Sequence, residues 1–256
     1  MLFDSHAHYD DEKFDNDRSE VINKANENGV SYILNAATDT MSAKVSISLA
    51  EKFEFVYAAV GVHPHNIGDM TDDTLTEIAS LADNDKVVAI GEIGLDYYYD
   101  TAPRDQQRYW FSKQIDLAKE LKLPIIIHDR DSHEDVVNII KSEGVKDVGG
   151  VFHCFSGSVE MARVVLDNNL YISVGGAVTF KNARKLLDVV KYVPIDRLLI
   201  ETDCPYLTPE PYRGKRNDSG FVRLVAEKIA QIKELEFEEV AQFTLNNAKR
   251  LFRIHL

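Results

Sequence analysis

A chain of 256 residues is long for one ordinary domain and close to the roughly 250 residues of a complete α/β barrel, so length leaves one barrel or two smaller domains. Hydrophobic residues at 45% and charged residues at 28% exclude general disorder. The 42 acids against 29 bases, a net charge of -13, argue against a broad electrostatic grip on duplex DNA or an anionic membrane, and leave room for a local site that holds phosphate through a metal.

The predicted elements alternate along the whole chain. Short β-branched runs come first: LFDSH (2–6), SYILNAA (31–37), FVYAAVGVH (55–63) and VVAIGEIGL (87–95). They continue as PIIIH (124–128), GVFHCF (150–155), LYISVGG (170–176) and RLLIETD (197–203). Between them lie helical patterns such as 18–29, 107–122 and 158–169. After the eighth run a Pro/Gly-rich loop (203–220) leads to two terminal helices, 221–234 and 237–252. Strands separated by helices imply parallel pairing with the helices outside. Eight such units in this length favour a closed TIM-like (β/α)8 barrel, with an open doubly wound sheet as the alternative that periodicity does not exclude. No linker, repeat or low-complexity tract divides the chain, so 1–256 reads as a single domain.

The opening MLFDSHAHYD carries acid and histidine where a secretory signal has a basic and then an apolar run. No apolar stretch approaches the roughly 20 residues of a membrane helix. Two cysteines, Cys154 and Cys204, are too few for a disulfide framework and fit a reducing compartment. The expectation is a cytoplasmic protein without membrane attachment.

A buried parallel strand should read as nearly continuous Val, Ile and Leu, yet several runs end in His, Glu or Asp. In a barrel those ends converge on one face, where catalytic groups sit. The first run supplies His6 and His8, whose i, i+2 spacing turns both imidazoles the same way. Glu92 follows VVAIG, His128 follows PIII, His153 lies in GVFHCFSG, and Asp203 ends RLLIETD. Each alone is readable as a satisfied polar residue at a strand end. Four histidines and two carboxylates placed by one rule form a donor set for divalent Mg, Mn or Zn. Six donors exceed the usual complement of one catalytic ion, so two ions with Glu92 as the bridging carboxylate fit the count better.

These residues lie in motifs that resemble the TatD family of metal-dependent hydrolases: LFDSHAHYD, GVHPH (61–65), GEIGLDYYYD (91–100), PIIIHDR (124–130), HCFSG (153–157), LLIETDCPYL (198–207) and RGKRN (213–217). The resemblance runs nearly end to end. It implies a TIM-like barrel, a metal-dependent deoxyribonuclease with 3′-to-5′ exonuclease action, and metal binding by His6, His8, Glu92, His128, His153 and Asp203. One departure is visible: Asn217 is followed by DSG, where the family has an acid and then proline.

Further groups border the same mouth. His63 and His65 end the third run and are either substrate contacts or residues shaping a turn at Pro64. Arg130 follows His128 by two residues and offers positive charge for a phosphate. For Arg213, Lys215 and Arg216 a solvated basic loop is the default reading. Cys154 and Cys204 each follow a proposed ligand, so alternation turns them toward the helix layer as inert thiols. His133 and His255 have no assigned role. The tyrosines 97–99 either stack a base or, for two of the three, pack on helices.

The expected reaction is hydrolysis of a phosphodiester in DNA, at a single strand or an end, by a metal-activated water with Asp203 as general base. No Ser or Cys triad is evident. A monomer without an obligate protein partner is expected. The alternative of the same class, which the resemblance also brings, is D-aminoacyl-tRNA deacylation or other ester or amide hydrolysis. Glu92, standing where many related barrels carry a carbamylated lysine, favours the phosphodiesterase-like branch by analogy. A non-catalytic binding module would show a decayed site, and all six donors are intact.

Overall fold

The computed structural model describes residues 1–254, so His255 lies outside the described residues. Eight strands pair in parallel, each with its neighbour in sequence. They are β1 (Leu2–Ala7), β2 (Val30–Ala36), β3 (Val56–Val60), β4 (Val87–Asp96), β5 (Ile125–Arg130), β6 (Gly150–Phe152), β7 (Tyr171–Val174) and β8 (Leu198–Ile200). A parallel bridge between Ala7 and Cys204 closes the ring. There Asp203 N donates to His6 O at 2.9 Å, and His8 N donates to Cys204 O at 2.8 Å. Closure is thus made by the same residues that carry the candidate donors, which couples barrel integrity to the site.

The connecting helices are α1 (Arg18–Glu27), α2 (Thr40–Lys52), α3 (Asp72–Leu81), α4 (Arg104–Leu121), α5 (His133–Glu143), α6 (Val159–Asp167) and α7 (Arg184–Tyr192). Two more, α8 (Val222–Lys233) and α9 (Phe237–Leu251), follow the last strand. Their starts are written locally. Asp39 and Ser42 form a reciprocal capping box on α2, and Ser158 accepts from Met161 N on α6. Caps of this kind contribute about 1 kcal/mol each. No helix among the described residues is long and apolar enough to cross a membrane.

Two apolar layers follow from strand alternation. One group of side chains, including Ile33, Val60, Ile127 and Ile172, packs with the helices. The other comprises Phe3, Leu34, Ala59, Ile126, Val151 and Leu199, packed with Leu245, Ala248 and Phe252 from the C-terminal end of the chain. The Phe252 ring lies 6.0 Å from that of Phe3, so α9 and its end plug the floor. Each large side chain buried this way contributes about 1.5 to 3 kcal/mol. The opposite end of the barrel is left for the polar residues.

Two strands are shorter than their apolar runs. β6 stops at Phe152 and β8 at Ile200, so His153 and Cys154 lie in a turn and Asp203 in irregular backbone beyond those strands. Cys154 and Asp203 adopt left-handed backbone, with φ of 42° and 56°. Alternation therefore does not govern Cys154. Its charged neighbours are Asp203, Glu201, Glu92 and Arg130, and it is half-buried beside them. Cys204 is fully buried as expected. Both thiols are free, and burial pushes each well above the ordinary cysteine range.

Candidate metal centre

The carboxyl ends of the strands meet in a cleft of about 1010 Å³ with Glu92 at its centre. Glu92 Oε1 lies 2.6 Å from His128 Nδ1 and 2.7 Å from His153 Nε2. Its Oε2 lies 3.3 Å from His6 Nε2 and 3.5 Å from His8 Nε2. Asp203 Oδ1 completes this second half, 3.4 Å from His8 Nε2 and 3.8 Å from His6 Nε2. All six donors chosen from the strand ends converge, and one carboxylate faces both halves.

Close strand approach makes this possible. Gly94 has φ of +148°, and a Cβ there would stand 2.0 Å from the carbonyl oxygen of His128. Only glycine lets β4 and β5 come this near, which brings Glu92 against His128. On the outer side, Gln107 and Gln114 sit two turns apart on α4 and are buried. Gln114 exchanges hydrogen bonds with both the N–H and the C=O of Val62, at 2.7 and 3.0 Å, fixing the segment before His63. Gln107 does the same for Asp96.

The electrostatics describe a site that attracts positive charge despite burial. Burial raises the Glu92 carboxyl, but the charges of His153, His63 and His6 and the His128 hydrogen bond hold it well below the usual range. Asp203 is likewise raised by burial, and the His8 hydrogen bond and charge hold it below its ordinary value. Burial lowers His8, yet Asp203 and Glu92 bring it up to about 9. His128 and His153 are raised against burial, His128 by Asp96 and Glu92, His153 by Glu92 and Glu201. Burial wins at His6 and His63, which are lowered. Ionised carboxylates among imidazoles that draw protons into a closed site make a donor set suited to divalent cations.

Three residues enter the cluster that strand-end reasoning did not place there. His63, expected at the rim, is buried with Nε2 3.6 Å from Glu92 Oε1, and its ring is 4.3 Å from that of His128. Glu201 is fully buried, accepts from Cys154 N at 2.6 Å and approaches His153 Nδ1 at 3.7 Å. Asp96 joins His65 and His128 through one oxygen, at 2.8 and 3.1 Å. Three sets place their donor atoms within 4.8 Å of one another: His6, His8 and Asp203; His6, His153 and Glu201; His63, Glu92 and His128. Beside them, Asp4 is fully buried between β1 and β8, accepting from Thr202 N, Thr202 Oγ1 and Ser219 Oγ, and burial pushes its carboxyl up to about 7.

The rim is built from β4 and β5. Arg130 lies 4.3 Å above the Tyr98 ring and 4.8 Å above that of Tyr99, and both tyrosines are exposed. Tyr97 alone turns to the helices, donating to Asp135 at 2.6 Å. His65 lines the cleft near Tyr99, with ring centroids 5.1 Å apart. The basic loop stays outside: Arg216 binds Asp17 through two contacts of 2.9 and 2.6 Å, and Arg213 covers the Phe180 ring. His133 pairs with Asp129 at 2.7 Å on the barrel's flank. Asp218, at the departure from the family motif, caps a short 3-10 helix over Ser219–Phe221.

The family model described as TatD related DNase matches residues 3–253. A metal-dependent hydrolase of Bacillus subtilis, YabD, is 53% identical with the whole of both chains covered. The protein named 3'-5' ssDNA/RNA exonuclease TatD from Erwinia tasmaniensis is 33% identical, covering 99% of this chain and 100% of that one. The crystal structure of YJJV, a TatD homolog from Escherichia coli, superposes with a TM-score of 0.93 at 32% identity, covering 99% of this chain and 98% of the other. The chain belongs to the TatD family of metal-dependent hydrolases.

Proposed function

We propose that the protein is a 3′-to-5′ exonuclease that hydrolyses phosphodiester bonds at the ends of single-stranded DNA, with two divalent ions of the Mg, Mn or Zn type held by His6, His8, Glu92, His128, His153 and Asp203. The observation that carries the reading is Glu92, whose two oxygens face separate histidine pairs at the base of an open cleft. The exonuclease name of the Erwinia tasmaniensis relative supports the choice of substrate.

Bound divalent ions supply Lewis acidity, lowering the pKa of water and offsetting charge on phosphate oxygens. The chain's own groups do the rest. Glu92 holds the two histidine pairs at fixed separation. Asp203 has a side chain 15% exposed against 3% for Glu92, so it meets the cleft and remains ionised. It takes the proton of the attacking water on a carboxylate oxygen. Arg130 presents its guanidinium to a phosphate, and the exposed faces of Tyr98 and Tyr99 stack bases. Asp10, Asp11, Glu12 and Asp39 line another part of the cleft. These acids repel a strand that continues past the centre and favour one that ends there.

The test is substrate competition. Metal-stripped protein reloaded with single ions is assayed side by side on end-labelled single-stranded DNA and on D-aminoacyl-tRNA. Preferential cleavage of DNA is expected; deacylation without nucleolysis would overturn the reading.

A further inference from the structure

One buried carboxylate connects the candidate ion donors to the rim that faces substrate. Asp96 ends β4 and is 1% exposed. Its Oδ2 lies 2.8 Å from Nε2 of His65 and 3.1 Å from Nε2 of His128. Its Oδ1 accepts from the backbone N–H groups of Tyr98 and Tyr99, at 3.0 and 2.9 Å. Its backbone N–H donates to Gln107 Oε1 at 2.9 Å, and Gln107 Nε2 donates to Asp96 O at 3.2 Å and Ala102 O at 2.9 Å. The carboxylate therefore has both oxygens engaged and its backbone clamped by α4.

Hydrogen-bond roles follow from chemistry. An ionised carboxylate only accepts, so both imidazoles donate to it from Nε2. A neutral imidazole that donates at Nε2 keeps a lone pair at Nδ1. His128 Nδ1 faces Glu92 Oε1 at 2.6 Å and His153 Nε2 at 3.3 Å, which is the middle of the centre, and it donates to that carboxylate until a divalent ion takes the proton's place. The other imidazole on the same oxygen, His65, stands at the cleft wall against Tyr99.

We propose that Asp96 is a positioning residue for hydrolysis: by accepting from Nε2 of both His128 and His65 and from the Tyr98 and Tyr99 N–H groups, it makes Nδ1 the His128 nitrogen that a divalent ion takes and sets the rim on which the substrate strand lies. This rests on the reading of His128 as an ion ligand. Asparagine in place of Asp96 has one accepting oxygen where the carboxylate has two. If its NH2 faces the imidazoles, His128 must accept at Nε2, and its proton moves to Nδ1 and blocks the ligand position. If its NH2 faces the tyrosine N–H groups, the rim loses its anchor. A carboxylate that orients a ligating histidine is worth about 10- to 100-fold in metal affinity.

Two measurements test the proposal. Zinc affinity is compared by calorimetry between wild type and Asp96→Asn, with KM and kcat on single-stranded DNA and the melting temperature recorded alongside. Zinc binding at least tenfold weaker, or a KM raised several-fold where the amide turns the other way, is expected. Unchanged zinc affinity and unchanged KM with a lowered melting temperature mean a structural role only and overturn the proposal. Wild-type protein that binds no zinc overturns instead the ion reading beneath it. The second measurement survives a variant that fails to fold. In zinc-loaded wild type labelled with 15N-histidine, His128 should carry its proton on Nε2 and coordinate through Nδ1. Coordination of His128 through Nε2 overturns the assignment.

Discussion

Glu92 and His128 stand 2.6 Å apart across the β4 and β5 pair, carboxylate oxygen against Nδ1, although 36 residues separate them in the chain. The other Glu92 oxygen faces His6 and His8. Replacing Glu92 by glutamine keeps the shape and removes the charge that both halves share. Turnover is expected to fall by about 100-fold or more with the circular dichroism spectrum unchanged. Near-normal turnover at saturating metal contradicts the bridging role.

Gly94 is where this approach is most sensitive. A methyl group there meets the His128 carbonyl at 2.0 Å and sits on backbone with φ of +148°. Gly94→Ala is expected to cost about 2 to 4 kcal/mol in urea unfolding, from overpacking and backbone strain together. A cost below about 0.5 kcal/mol, within the range of neutral surface changes, contradicts the claim that only glycine fits.

The rim predicts a split in kinetic constants. Tyr98 and Tyr99 are exposed and touch none of the six proposed ligands, so removing their rings should weaken substrate binding rather than chemistry. Base stacking is worth about 1 to 3 kcal/mol per base. Tyr98→Ala and Tyr99→Ala are each expected to raise KM on single-stranded DNA several-fold with kcat held. A fall in kcat at constant KM would place these residues elsewhere in the reaction.

His133 offers a pH test on the barrel's flank. The hydrogen bond that His133 donates to Asp129 raises its pKa, partly opposed by burial. The folded state thus binds this proton more tightly than the unfolded chain does. The stabilisation is complete below the ordinary value of 6.5 and is lost as pH rises through the raised folded value. His133→Gln should lower the melting temperature more at about pH 6 than at about pH 9. The effect at this partly exposed pair is no more than about 1 kcal/mol. An equal loss at both pH values contradicts the linkage.

The barrel was legible because its signals are periodic: eight β-branched runs alternate with amphipathic helical stretches. The six strand-end donors were legible because polar residues interrupt runs that burial on both faces makes apolar. His63 was legible only as a residue at the mouth, and Asp96 and Glu201 were hidden, each for a separate physical reason. His63 reaches the centre through a loop after β3 ends at Val60, and no period describes a loop. Asp96 acts through histidines, so its role exists only in three dimensions. Glu201 sits two residues before Asp203 and faces the same interior, yet β8 ends at Ile200 and the intervening backbone is irregular. Cys154 was misdirected by the same cause, because strand alternation was extended past the last paired residue, Phe152.

The most direct measurement is the cleavage ladder of a 5′-labelled single-stranded DNA, resolved to one nucleotide, with chelated protein and with the same protein reloaded with Mn. Stepwise shortening from the 3′ end only after reloading, absent in Asp203→Asn, is the predicted result. Cleavage that persists in chelator, or that Asp203→Asn carries out at the wild-type rate, would contradict the account.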